Sequence, residues 1–187
     1  IVPSKLHPLW YSPLLPLHFY VSAIGAGIGM VVLESYLSQR AFGRALEMDL
    51  LEPLARGMVV ALGIYGLLRL QAIARNGAFG DVRALTYEGK MFLLEIALGV
   101  VLPVGLLAFR KLRTSPRWLV AGSFLAVLGF VVNRLNVSVT GMERAAGVRY
   151  VPSVMEIIVS VGLVGLGMAV FAFAARNFAI FPEHAPA

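Results

Sequence analysis

Arg117-Trp-Leu-Val-Ala-Gly-Ser-Phe-Leu-Ala-Val-Leu-Gly-Phe-Val-Val-Asn-Arg134 is an almost unbroken apolar run with a cation at each end, and it leads into Leu135-Asn-Val-Ser-Val-Thr-Gly-Met-Glu143. A helix needs about 20 apolar residues to cross a hydrocarbon core, so a run of this length reads as a transmembrane helix. Similar runs lie at roughly 14–38, 53–75, 91–109 and 153–176. None alternates as a barrel strand would. Backbone in lipid must satisfy its own hydrogen bonds, so each run is expected to be helical. The fold class is therefore all-α: a transmembrane bundle of about five helices, a four-helix bundle plus a terminal helix.

Composition agrees. The chain has 187 residues, of which 59% are hydrophobic and only 14% charged, with a mean hydropathy of +0.82. That is far more apolar than a soluble domain of this length. The net charge of +6 comes from cations that sit mostly between the apolar runs. Headgroups and topology account for them there, and nucleic acid is not implied. With no cysteine, the chain can form no disulfide and supply no thiolate to a metal or an iron–sulfur cluster, so any such cluster belongs to a partner.

Several local signals mark helix ends. Asp49 with Glu52 and Pro53 should open the second helix, Thr86 can cap the third, and Ser153-Val-Met-Glu156 reads as a capping box for the fifth. Gly25 with Gly29, Gly57 with Ala61, and Gly165 with Ala169 are spaced for close helix approach. Basic residues divide evenly between the two faces. The short loop Arg110-Lys-Leu-Arg-Thr-Ser-Pro-Arg117 breaks the tie, because short cation-dense loops weigh most in setting orientation. Its side should be cytoplasmic, with the stretch from 136 to 151 facing outward. The chain begins Ile1-Val-Pro-Ser, unlike a signal peptide. It reads as one transmembrane domain over residues 1–187, the C-terminal half of a longer subunit.

Threading the helices alternately gathers the polar residues into two layers. His18, Glu95, Arg134 and Glu156 fall near the outer face, with Lys90 beside them. Glu34 and Arg56 fall near the other face. Ionisable residues inside a span usually pair and mark a path for ions, protons or a polar headgroup, so His18, Glu34, Arg56, Glu95, Arg134 and Glu156 are the candidates for a quinone or proton path. Glu34 is expected to point into the bundle with Gly27 and Met30. Three of these residues also have a purely structural reading: Glu156 completes a cap, Arg56 pairs with Glu52 one turn away, and His18 is a hydrogen-bonded membrane-edge histidine. Asn136, Glu143 and Tyr150 are candidates to face a partner. No catalytic motif and no metal-ligand cluster is present. Only His18 of the three histidines lies within a helix, so haem bound by an axial pair is not expected.

Lys5-Leu-His-Pro-Leu-Trp-Tyr-Ser-Pro-Leu-Leu-Pro16, followed by Ser22-Ala23 and Glu34-Ser35, resembles the middle of NrfD/PsrC-type membrane subunits, in the HybB branch that serves a nickel–iron hydrogenase. Asn133-Arg-Leu-Asn-Val-Ser-Val-Thr-Gly141 and Tyr150-Val-Pro-Ser-Val-Met-Glu-Ile-Ile-Val-Ser-Val-Gly162 look like that branch's C-terminal signature, and Ile180-Phe-Pro182 resembles its ending. The resemblance implies a multi-pass subunit of a bacterial or archaeal cytoplasmic membrane, with no haem or cluster of its own. It implies an iron–sulfur ferredoxin-like partner, further redox subunits such as a hydrogenase or a multihaem cytochrome, and menaquinone or ubiquinone as the electron-carrying substrate. In similar proteins the main quinone pocket is built largely by a first bundle that this chain does not contain. A purely structural anchor and half of a secondary transporter are the competing readings, the latter pointed to by Pro103 alone.

Overall fold

The computed structural model describes residues 6–42, 46–147 and 153–177, and among these there are helices and turns but no strand. The chain divides into two compact units, Ile1–Val148 and Arg149–Ala187. Four stretches of the first unit are long and apolar enough to cross a membrane: Leu15–Ala41, Met48–Asn76, Tyr87–Ala108 and Pro116–Glu143.

In chain order the first unit runs α1 (Leu15–Phe42), α2 (Met48–Asn76), the short α3 (Phe79–Arg83), α4 (Tyr87–Ile96), a π-helical segment Ala97–Val101, α5 (Leu102–Ala108), the short α6 (Arg110–Arg113), α7 (Pro116–Leu135), a second π-helical segment Asn136–Thr140, and α8 (Gly141–Ala146). The third crossing is thus one continuous stack of α4, π-segment and α5, and the fourth is α7 running on into its own π-segment and α8. Pro103 lies in the first turn of α5, directly after the π-segment. The third crossing is therefore helical on both sides of Pro103.

The expected start signals hold with shifts. Asp49 lies in the first turn of α2, but α2 begins at Met48 and takes Pro53 into its interior. Thr86 caps α4, its hydroxyl accepting from the Gly89 amide at 3.1 Å, which satisfies one of the amides a helix start leaves free. In the second unit, α9 (Val154–Asn177) opens with the reciprocal capping box: Ser153 N–H donates to Glu156 Oε2 and Glu156 N–H to Ser153 Oγ, both at 3.3 Å.

Within the first unit α1 packs against α2 and α7, and α7 packs against α5 and the first π-segment. Small residues permit this. A Cβ on Gly25 would stand 2.7 Å from Leu62, and one on Gly29 would stand 3.1 Å from the Ser123 carbonyl. The tightest approach lies outside the glycine pairs that spacing along one helix signals: a Cβ on Gly129 would collide with the backbone of Gly99, so α7 and the π-segment touch main chain to main chain. Outward-facing residues such as Leu67, 69% exposed, are apolar, as lipid contact requires.

Polar contacts tie each end of the bundle. At one end the segment before α1 lies across the helix ends. His7 N–H donates to the Gly141 carbonyl at 2.8 Å, and Asn76 donates to the carbonyls of Pro8 and Tyr11 at 2.8 and 2.7 Å. At the other end Arg113 of α6 donates to Glu52 of α2 at 2.8 Å and to the Leu107 carbonyl at 2.9 Å. Two apolar cores result, one around Leu9, Trp10, Ile73 and Phe92, the other around Val32, Met58, Leu62, Leu107 and Leu119.

Candidate functional site: a buried carboxylate ringed by donors

Glu95 lies at the penultimate position of α4, immediately before the first π-segment, and is 2% exposed. Five side-chain donors from four parts of the chain converge on it. Its Oε1 accepts from Asn133 at 2.8 Å, Arg69 at 3.0 Å and Tyr65 at 3.2 Å. Its Oε2 accepts from the Trp10 indole at 2.8 Å and Asn136 at 3.0 Å. An ionised carboxylate offers about four lone-pair sites. The shell therefore fills the anion, and Arg69, itself 2% exposed, balances its charge.

Local folding explains why these groups meet. Tyr65 and Arg69 are four residues apart on α2, on one face. Asn133 is in the last turn of α7, and the π-segment that follows begins at Asn136, so both amides are turned inward at the point where the helix widens. A π-segment is uncommon and tends to occur at functional sites; here one starts two residues after Glu95 and the other starts at a Glu95 ligand. Asn136 is held further by donating to the Met91 carbonyl at 3.1 Å and accepting from Thr140 at 3.3 Å. Trp10 reaches down from the segment that covers the bundle end, where Gly141 leaves room for it: a Cβ there would stand 2.8 Å from Leu6 and 3.4 Å from the indole.

Beside this node lies a second polar group. The Arg134 guanidinium is stacked between the rings of Phe19 and Phe130, 3.7 and 4.4 Å from their centroids, and donates to the Phe19 carbonyl at 3.1 Å and the Ser22 hydroxyl at 3.4 Å. His18 is buried edge-on to Tyr65, with Nδ1 2.8 Å from the Leu14 carbonyl. That contact requires a proton on Nδ1.

The family model described as "Polysulphide reductase, NrfD" matches residues 3–146. The chain belongs to the NrfD family. A protein of Nitratidesulfovibrio vulgaris is 32% identical over 98% of this chain and 49% of its own length. The probable Ni/Fe-hydrogenase 2 b-type cytochrome subunit of Escherichia coli is 28% identical over 95% of this chain and 46% of its own. The Hdr-like menaquinol oxidoreductase integral membrane subunit of Archaeoglobus fulgidus is 26% identical over 95% and 51%. This NrfD-family chain thus spans about half the length of the curated relatives it matches. It is a multi-pass protein of the inner membrane. No solved structure matches it.

Of the path candidates, the structure places Glu95 in the node and His18 and Arg134 beside it. Glu34 is not among them. It is exposed on α1, on the same outward side as Gly27 and Met30, so the expectation that it points into this bundle is corrected. Arg56 pairs with Glu52 at 2.9 Å and is 58% exposed. Glu156 serves the α9 cap. Asn136, expected to face a partner, is instead 3% exposed and donates into the node, because the π-turn directs its amide inward. Glu143 is half-buried, and Tyr150 lies outside the described residues. Sequence reasoning misses Arg69, Tyr65, Trp10 and Asn133 as site residues. Arg69 carries a usable signal, a lone cation with leucine on both sides about two turns inside the end of a span.

The cytochrome name of the Escherichia coli relative raises the question of haem. Axial ligation needs two histidine nitrogens facing one roomy site. Here the two described histidines do not supply such a pair, because His7 has both ring nitrogens engaged. His7 Nδ1 accepts from the Leu9 amide and its Nε2 stands 3.9 Å from Asp81, while His18 is turned towards Leu14 and Tyr65. Their side chains do not fit a haem.

Proposed function

We propose that this chain is the membrane anchor and quinone-interacting electron-transfer part of a multi-subunit oxidoreductase. It carries electrons between an iron–sulfur partner subunit and the quinone pool, with proton movement through its polar layers. The observation that supports this best is the Glu95 node. A carboxylate, an arginine and three amide or indole donors inside a membrane span are costly to keep and are by default functional. The relatives' names add a hydrogenase and a menaquinol oxidoreductase as the settings in which this family's membrane subunits work. Since the chain has no cysteine, the clusters that deliver electrons must be held by a partner. The cation-dense loop from Arg110 to Arg117 favours the cytoplasmic side for that end of the bundle, so in this reading the Glu95 end faces the partner outside.

The node then holds rather than touches the quinone ring. All of the Glu95 lone pairs are taken, and the adjoining crevice has a volume of only about 10 Å³, against roughly 300 Å³ or more for a small-molecule site. The node fixes four helix segments and the N-terminal segment in one arrangement, and His18 and Arg134 lie on the side where protons released or taken up by quinol chemistry could be handled. The same filled shell favours a second reading, a structural anchor.

The test is quinone-linked turnover in vesicles that hold the assembled complex, with and without this chain. Loss of quinone turnover, with reduction of a soluble dye by the partner subunits retained, is the expected result. Unchanged quinone turnover without the chain overturns the proposal. Loss only through failure of the partners to reach the membrane supports the anchor.

A further inference from the structure

The polar groups around the node are not all satisfied by protein. Among the described residues, buried His18 Nε2, Arg69 Nε, Ser123 Oγ, Asn133 Oδ1 and Arg134 Nη1 meet no hydrogen-bond partner. Buried polar atoms in folded proteins nearly always have one, and an ordered water is the usual answer where protein supplies none. Of these atoms, the Asn133 oxygen is an acceptor that a water proton would satisfy.

Asn133 also borders one open space. The crevice beside Glu95 is lined by Ser22, Tyr65, Glu95 and Asn133, with Leu62, Ala126 and the Gly99–Gly129 contact closing it. Asn133 is itself a lining residue. Arg134 bonds to the lining Ser22 and stacks on the lining Phe130. His18 packs against the lining Tyr65. The volume caps the occupant: about 10 Å³ lies at the lower edge of the roughly 10–15 Å³ that a single water needs, so nothing larger fits.

We propose that one water molecule is bound in this crevice as a permanent part of the node, donating to Asn133 Oδ1 and to the hydroxyl of Ser22, two residues that line it. It joins two groups that the protein alone leaves separate. Asn133 passes the link on to Glu95 through its amide nitrogen, and Ser22, whose hydroxyl accepts from Arg134, passes it to that guanidinium. The site is made from this chain's own residues, and it holds whichever redox partner the complex uses.

X-ray hydroxyl-radical footprinting of the assembled complex in membranes tests this, because radicals arise from water and oxidise the rings that touch it. Tyr65 lines the crevice. Trp10, fully buried and outside the lining, is the dry internal reference and is intrinsically the more reactive ring. Tyr65 should be oxidised faster than Trp10, and Ala126→Val, which fills the crevice, should abolish that labelling. Should Ala126→Val fail to assemble, the comparison of Tyr65 with Trp10 in the unaltered protein decides alone. Tyr65 oxidised no faster than Trp10, or labelling that survives Ala126→Val in an assembled complex, overturns the proposal. Because this readout is independent of turnover, its failure is distinct from failure of the quinone reading.

Discussion

Replacing Glu95 by Gln keeps the shape of the side chain and removes its charge, and the structure allows the cost to be worked out. Glutamine has one acceptor oxygen. Placed at the Oε1 position it retains Tyr65, Arg69 and Asn133, but its NH₂ then faces two donors, the Trp10 indole and the Asn136 amide. Asn136 still has the Met91 carbonyl; Trp10 keeps nothing. One orphaned buried donor costs about 1–3 kcal/mol. The larger loss is that Arg69, buried with Glu95, no longer has its counter-charge, and removing one partner of a buried ion pair costs about 3–5 kcal/mol. The two overlap, so the whole effect should be about 3–5 kcal/mol. Individual hydrogen bonds between membrane helices are worth less, about 0.6 kcal/mol on average, so a loss this large would identify the charge as its source. Unfolding of the purified complex in mixed micelles of rising detergent denaturant reads it directly. The double variant Glu95→Gln with Arg69→Met removes both charges and should be more stable than Glu95→Gln alone, a non-additivity within the range seen for residues in contact. Two single losses that simply add, or an unchanged midpoint for Glu95→Gln, would refute the reasoning. Quinone turnover measured on the same samples separates a proton role, which fails with assembly intact, from a purely structural one.

Other outcomes follow from single contacts. Gly129→Ala pushes a methyl into the Gly99 backbone and should cost at least the roughly 1–3 kcal/mol typical of overpacking, whereas Gly165→Ala, whose Cβ meets nothing within 4 Å, should leave the unfolding midpoint unchanged. Because the chain has no cysteine, Ser115→Cys and Ala146→Cys can be labelled in intact cells: an impermeant reagent should reach Ala146→Cys and not Ser115→Cys, and the reverse result inverts the orientation. Reduced-minus-oxidised spectra of the complex should show no b-type signal that His18→Ala removes; loss of such a signal would mean that His18 is an axial ligand after all. Glu34→Gln, on the exposed face, should alter stability far less than Glu95→Gln, and equal losses would mean that Glu34 is buried in the assembled protein.

The parts of this fold that are legible in the sequence are those on which the bilayer imposes a direct requirement. Crossing length is such a requirement, and the four spans of the first unit lie where the apolar runs place them, within a few residues at most ends. Thr86 and Ser153 are readable because a cap is a local device in which donor and acceptor lie three residues apart. The side each helix presents is not readable. α1 is apolar almost all round, so nothing in its pattern distinguishes a face packed on α2 and α7 from one turned to lipid, and Glu34 falls on the face opposite to the one expected. The ligands of Glu95 come from 26 to 85 positions away in the chain, and no spacing rule links them. The Gly99–Gly129 contact is hidden for the same reason: small-residue spacing is read along one helix, while this pair meets across two.

The node also fixes an order of events in the making of the protein. Arg69 leaves the ribosome 26 residues ahead of Glu95, and Asn133 and Asn136 follow 38 and 41 residues after Glu95. An arginine at the centre of a helix resists insertion by about 2.5–3.5 kcal/mol, and Arg69, about two turns from the end of α2, bears part of that cost. α2 is therefore poorly able to settle in lipid by itself, and gains its counter-ion only when the following crossing arrives. The second and third crossings should enter the membrane as a pair, with the fourth crossing and then the Trp10 segment closing over a charge already neutralised.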